Sequence, residues 1–250
     1  MANQAITPAW YIIRHPWAKW VNVLHWPYLL FHLSYVVIGA ALAPSLDIGL
    51  LGWTLLGFFL GLGIGAHALD LLAGDPLKLG LPRGQLKAAA ILSIAAAIAL
   101  ALAMVFTGRV SPWLLGAAPV GVLMAVGYGL EWPGFHGGWW QFPIFWAVFP
   151  FLVSYWAQGL AWTWALLPVG AFCFLTAYAQ RVLSTRTRFV RRRVVHLEGL
   201  YSQEAAPYIS GVRPPGAVAF GPAWVLAPVD QALAVMSFAM PLLAVGLLLL

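Results

Sequence analysis

The sequence predicts an all-α polytopic membrane protein, and three observations predict it. Hydrophobic residues make up 62% of the chain and charged residues 8%, against ~45–50% and ~25% in soluble domains. The apolar stretches are long and continuous rather than alternating segments of ~10 residues, so they read as helices and not barrel strands. Lipid offers the backbone no hydrogen-bond partner, which leaves the helix as the form such stretches adopt. The single cysteine, Cys173, excludes an intrachain disulfide and a cysteine metal cluster.

The elements follow in order. Residues 1–26 form an N-terminal interfacial segment: tryptophans interleave with Arg14, His15 and Lys19, too polar to span and suited to headgroup level. A transmembrane core is expected over 27–193. Its first span, 27–42, contains His32 and Ser34; His32 is expected to bond a neighbouring helix, with a haem or pigment ligand at His32 or His25 as the alternative. The second span ends near Asp70, and Gly57, Gly61 and Gly65 give it a bare face for close helix packing or for a ligand lying on the backbone. The third span is 88–106 and the fourth 113–130. In the fifth, 142–157, Pro143 and Pro150 kink the helix or leave carbonyls for neighbours to satisfy. The sixth, 162–178, leads into an arginine run, Arg181 to Arg193. A membrane-peripheral segment rich in Pro and Gly fills 194–230, and a C-terminal transmembrane helix 231–250. The total is about seven spans of hydrocarbon thickness.

Lys and Arg set the orientation. Arg14 and Lys19, then Lys78, Arg83 and Lys87, then the arginine run fall on one side, the cytoplasmic face; the other links carry only Arg109. The N-terminus and the polar links are therefore cytoplasmic and the C-terminus opposite, in what is expected to be a prokaryotic cytoplasmic membrane. The net charge of +6 and pI near 9.8 point to anionic lipid headgroups rather than nucleic acid, since no soluble nucleic-acid-binding fold accompanies the basic run. Almost no charge lies mid-span and no inverted repeat is evident, which argues against a transporter.

Two polar links concentrate the chemistry. The first, Gly65 to Leu86, holds His67, Asp70, Asp75, Lys78 and Arg83; the second holds Tyr128, Glu131 and His136. His67 and Asp70 stand three apart, on one helix face. These residues resemble motifs of the UbiA superfamily of intramembrane prenyltransferases. His67-x-x-Asp70 stands where that family has Asp-x-x-Asp, Leu79-Gly80-Leu81-Pro82-Arg83-Gly84 where it has an Arg-Pro-Leu-Pro-Ser-Gly loop, and Tyr128 to Pro133 is similar to its Tyr-Ser-x-Pro-Pro segment. The resemblance implies a UbiA-like helical bundle lacking the last helices, since that family typically has about nine and this chain has room for about seven. It also implies an isoprenyl diphosphate held through Mg²⁺ by carboxylates.

The sequence departs from that pattern. Gly74 replaces one motif Asp, Asp75 is one step out of register, and residues 178–191 carry arginines where a second carboxylate motif belongs. The first expectation is therefore a non-catalytic accessory or scaffold subunit of a membrane complex, binding an isoprenoid, quinone, pigment or phospholipid beside other membrane protein chains. Lys78, Arg83, Tyr128, Glu131, Arg181, Arg186 and Arg188 would meet its headgroup. The alternative is a divergent Mg²⁺-dependent prenyltransferase with His67, Asp70 and Asp75 catalytic and Asp70 and Glu131 on the metal.

Overall fold

The computed structural model describes residues 9–194 and 222–250, and among these every regular element is a helix. Before the first long helix the chain forms a 3₁₀ turn, Pro16–Ala18, and a short helix, Lys19–Val23. Asn22 braces this segment: its Nδ2 donates to the Ile13 carbonyl at 3.0 Å and its Oδ1 accepts from the Ile13 N–H at 3.1 Å. His25 then takes a left-handed conformation, φ 48°, which a non-glycine residue rarely adopts and which turns the chain into α1, Trp26–Ala41. Trp17 and Trp20 are exposed, but Ala9 and Tyr11 are buried against Val23, Ala68, Leu77 and Leu86.

The second helix, α2, runs Ile48–Ala73. Asp47 caps it by accepting from the Leu50 N–H at 3.0 Å. Its middle, Phe59–Ala66, is π-helical. Next come α3, Arg83–Phe106, and α4, Ala117–Gly129, opened by a 3₁₀ turn at Pro112–Gly116. Residues 141–158 form α5: Gln141–Pro143, a π segment Ile144–Val148, then Phe149–Gln158. Pro150 has no N–H to return to the Trp146 carbonyl four residues earlier. The His32 Nδ1–H of α1 donates to that carbonyl at 3.0 Å. The proline distortion and the histidine are thus one feature: His32 makes the helix-to-helix bond expected of it.

The sixth helix, α6, spans Leu166–Arg193, so the arginine run continues the sixth span rather than following it. The last, α7, spans Pro222–Leu248. It begins earlier than the 231 boundary: residues 222–230, expected in the membrane-peripheral segment, are helical, with Pro222 in the first turn and Pro228 carried inside. The remainder of that segment, 195–221, lies outside the described residues.

Among the described residues six helical stretches, the first of them Pro16–Ala41, are long and apolar enough to cross a membrane, which makes the chain an integral membrane protein; α5 is not among the six. The bundle is built around α1, which packs against α5 and α7. One core joins Phe31 and Tyr35 of α1 with Phe151 and Tyr155 of α5, Cys173 of α6 and Met240 of α7. At Gly39 a side chain would run into the Phe151 carbonyl, so glycine is what lets the two backbones meet. By contrast α3 leans on α2 alone over most of its length: 11% of its best apolar window is buried, against 61% for the first span.

Candidate functional site

The helices alternate in direction, so one end of the bundle gathers the starts of α1, α3, α5 and α7 with the ends of α2, α4 and α6. Here α6 places its arginines by helical spacing. Ser184, Thr187 and Arg191 face inward, while Arg181, Arg188 and Arg192, seven and then four residues apart, share the adjoining face. The Ser184 hydroxyl donates to the Arg181 carbonyl and that of Thr187 to the Ser184 carbonyl. These inward polar groups are thereby satisfied without interrupting the helix.

Arg181 lies over two rings, 5.9 Å from Tyr128 and 5.3 Å from Phe142. Arg188 spends its Nε–H on the Ser184 carbonyl and an Nη–H on Thr185, within its own helix. Asp70, half-buried at the end of α2, stands within Coulombic reach of Arg188, Arg192, Glu131 and His136. Arg181 is likewise within reach of Asp70 and Glu131. Yet among the described residues only Arg109 with Asp47 and Arg191 with Asp230 are ion-paired. Arg181, Arg188 and Arg192 therefore cluster within reach of Asp70 with no carboxylate in contact.

Aromatic and imidazole rings complete the cluster. His136 meets the edge of Tyr128 at 4.8 Å. Burial holds its imidazole below the usual value and the Arg181 charge adds to this, while Glu131 and Asp70 oppose it. His67 donates its Nδ1–H to the Gly63 carbonyl at 3.0 Å and stacks on His25, 4.6 Å apart and 15° from parallel. His25 Nε2 is buried without a partner. The buried Tyr11 hydroxyl, held well above the usual phenol range by burial first and by Tyr28 second, comes from the N-terminal segment to within reach of Arg188, Asp70 and Arg192.

The structure thus brings together His67, Asp70, Tyr128, Glu131, Arg181 and Arg188. It does not bring in Asp75, whose two oxygens accept from the Leu79 N–H at 3.0 Å and the Gly80 N–H at 2.7 Å and close the link as a turn. Lys78, Arg83 and Arg186 are exposed. Arg192 and Tyr11 belong to this cluster and were not among the candidate residues, and His25, read only as an alternative haem or pigment ligand, lies within reach of Arg188 and Arg192 as well. Arg192 was within reach, since it continues the 181–188 face by one turn; the other two depend on how the N-terminal segment folds back. Mg²⁺ does not fit well: among the described residues no three of His, Cys, Asp and Glu converge as a metal-holding group, and the two carboxylates in reach face three guanidinium groups.

No family model, curated protein or solved structure matches the chain.

Proposed function

We propose that this chain is a non-catalytic, UbiA-like membrane subunit that holds an amphiphile by its anionic headgroup at the arginine cluster. One observation carries the reading: Arg181 and Arg188, both partly buried, cluster with Arg192 and have no carboxylate in contact. Charges removed from water call for a counter-charge, and guanidinium groups meet phosphate in pairs of hydrogen bonds. The ligand class is a phosphate- or diphosphate-headed lipid with an acyl or isoprenoid tail. We read the arginine end as cytoplasmic from the Lys/Arg distribution, in a prokaryotic cytoplasmic membrane. We also count α5 as a seventh crossing: it runs between two ends of the bundle, and Phe151 and Tyr155 face protein rather than lipid, so it needs less hydropathy than its neighbours.

The test is purification in mild detergent followed by mass spectrometry of all bound lipids and chains. An anionic lipid at one per chain is expected, with co-purifying membrane partners. Arg181→Gln with Arg188→Gln lowers its retention by roughly tenfold or more, the loss of about one charge-assisted contact. Equal retention in the variant ends the assignment.

A second reading has its own support. Asp70 sits one helical turn from His67 and within reach of the arginines, as a divergent prenyltransferase would need. Asp70→Asn separates the two: it leaves lipid retention intact under the first reading and abolishes transfer from an isoprenyl diphosphate under the second.

A further inference from the structure

The end of the bundle opposite the arginines carries a cavity of about 190 Å³ inside α2, α3, α4 and α5. Its walls hold one hydroxyl, that of Thr54, and this already donates to the Leu50 carbonyl at 2.9 Å. A water against such walls would lack the two to four polar partners it needs. The occupant this space suits is hydrocarbon.

The glycines show that the space is not a by-product of tight packing. An added methyl at Gly65 would press on Ile94 at 2.8 Å, and one at Gly129 on Leu69 at 2.8 Å. At Gly57 and Gly61, both on the cavity wall, the nearest atoms are 3.8 Å away, on Leu100 and Ala97. Close approach requires glycine at the first pair, whereas at the second a methyl would fit in ordinary contact. The π segments of α2 and α5 also border the cavity, through Gly61, Leu62, Phe145 and Trp146. Single π turns recur where helices are reshaped around a function.

Toward the bundle end the cavity meets a shallow vestibule, and Val105, Val110 and Ala157 line both. Arg109, Ser111 and Gln158 edge the vestibule. Arg109 is the sole cation in the three links at this end, residues 42–47, 107–111 and 159–165. Its contact with Asp47 is 4.0 Å long and exposed on both sides, a weak pair that leaves most of its donors to another anion.

We infer that vestibule and cavity form a second lipid site, in the leaflet opposite the arginine cluster. An anionic phospholipid places its phosphate at Arg109 and one acyl tail between α2, α3, α4 and α5. The site shares no residue with the arginine cluster, and its test is independent of the proposed function.

The full chain is reconstituted in nanodiscs of phosphatidylglycerol carrying a photoactivatable diazirine at the tail end, illuminated, and its adducts are mapped by mass spectrometry. Adducts on the wall residues Ala97, Ala101 and Met104 should exceed those on Ile91 and Leu92, exposed on the same helix. Gly61→Leu fills the slot and should lower the wall adducts by roughly tenfold, the effect of excluding about two methylene groups, while Ile91 and Leu92 keep their labelling. Gly57→Leu gives the same reading should the first variant not fold. Arg109→Gln should lower wall adducts in phosphatidylglycerol and leave them unchanged in phosphatidylcholine. Wall adducts no more frequent than those on Ile91 and Leu92, or indifferent to filling, overturn the site; wall adducts indifferent to Arg109→Gln overturn the headgroup assignment.

Discussion

At the scale of residues, His136 offers a reading by pH. Its imidazole takes a proton less readily in the folded chain than in the unfolded one, through burial and the Arg181 charge, against the pull of Glu131 and Asp70. The folded form therefore loses stability as pH falls below about 6.5, where the unfolded chain binds the proton first. His136→Gln removes that share. The apparent unfolding midpoint, followed in micelles from about pH 7.5 down to about pH 5, should fall less in the variant than in the parent; parallel curves would show that His136 does not contribute. The sequence made His67 and Asp70 legible because helical spacing is enough to place them on one face. The same spacing misleads at Asp75: a carboxylate four and five residues ahead of free backbone N–H groups closes a turn on itself. His25 was legible only as an isolated histidine, since its left-handed backbone and its stacking on His67 arise from a fold-back that no periodicity announces.

At the scale of elements, glycine separates packing from space. Gly39→Ala drives a methyl into the Phe151 backbone, which cannot move as a side chain can. A loss of about 1–3 kcal/mol is expected from overpacking of this kind. Gly57→Ala meets only Leu100, at 3.8 Å, and should gain up to about 1 kcal/mol from helix propensity. Unfolding of both variants in mixed micelles checks the pair, and a similar effect at the two positions would contradict the contrast drawn between them. The helices themselves were readable from hydropathy, because lipid leaves continuous apolar stretches no other form. Their ends were less so. Arginines read as a boundary at 178, yet α6 continues to Arg193 because its inward Ser184 and Thr187 find carbonyls in their own helix. The proline-rich stretch before 231 read as membrane-peripheral, and its last part, from Pro222, is the start of α7, which accommodates Pro228.

At the scale of the whole molecule, α6 and α7 share the apolar core and one ion pair, Arg191 with Asp230. The pair is largely buried, and Arg191 Nε and Asp230 Oδ1 have no further partner. Removing one member strands the other: Asp230→Asn or Arg191→Met should each cost about 3–5 kcal/mol, while the double exchange Arg191→Met with Asp230→Leu should recover most of it. Thermal unfolding of the three variants measures this, and additive losses in the double variant would refute a direct coupling. The sequence could not have paired these two residues, which lie 39 positions apart on helices whose neighbourhood is a tertiary fact. It did place the basic links at a common end of the bundle, because alternation of spans makes that outcome a matter of counting.

Helix α5 carries a consequence for biosynthesis. Two prolines, two glutamines and its tryptophans leave it below the apolarity of the six long helices, while the central helix α1 supplies both its packing surface and the His32 bond to Trp146. As the proposed seventh crossing, it would leave the insertion channel as a poor passenger, staying in the membrane only once α1 is there to receive it. Helix α1 would thus act as the guide for α5. A glycosylation reporter placed after residue 160 should show α5 crossing in the full-length order and failing to cross when α1 is replaced by a polyleucine span.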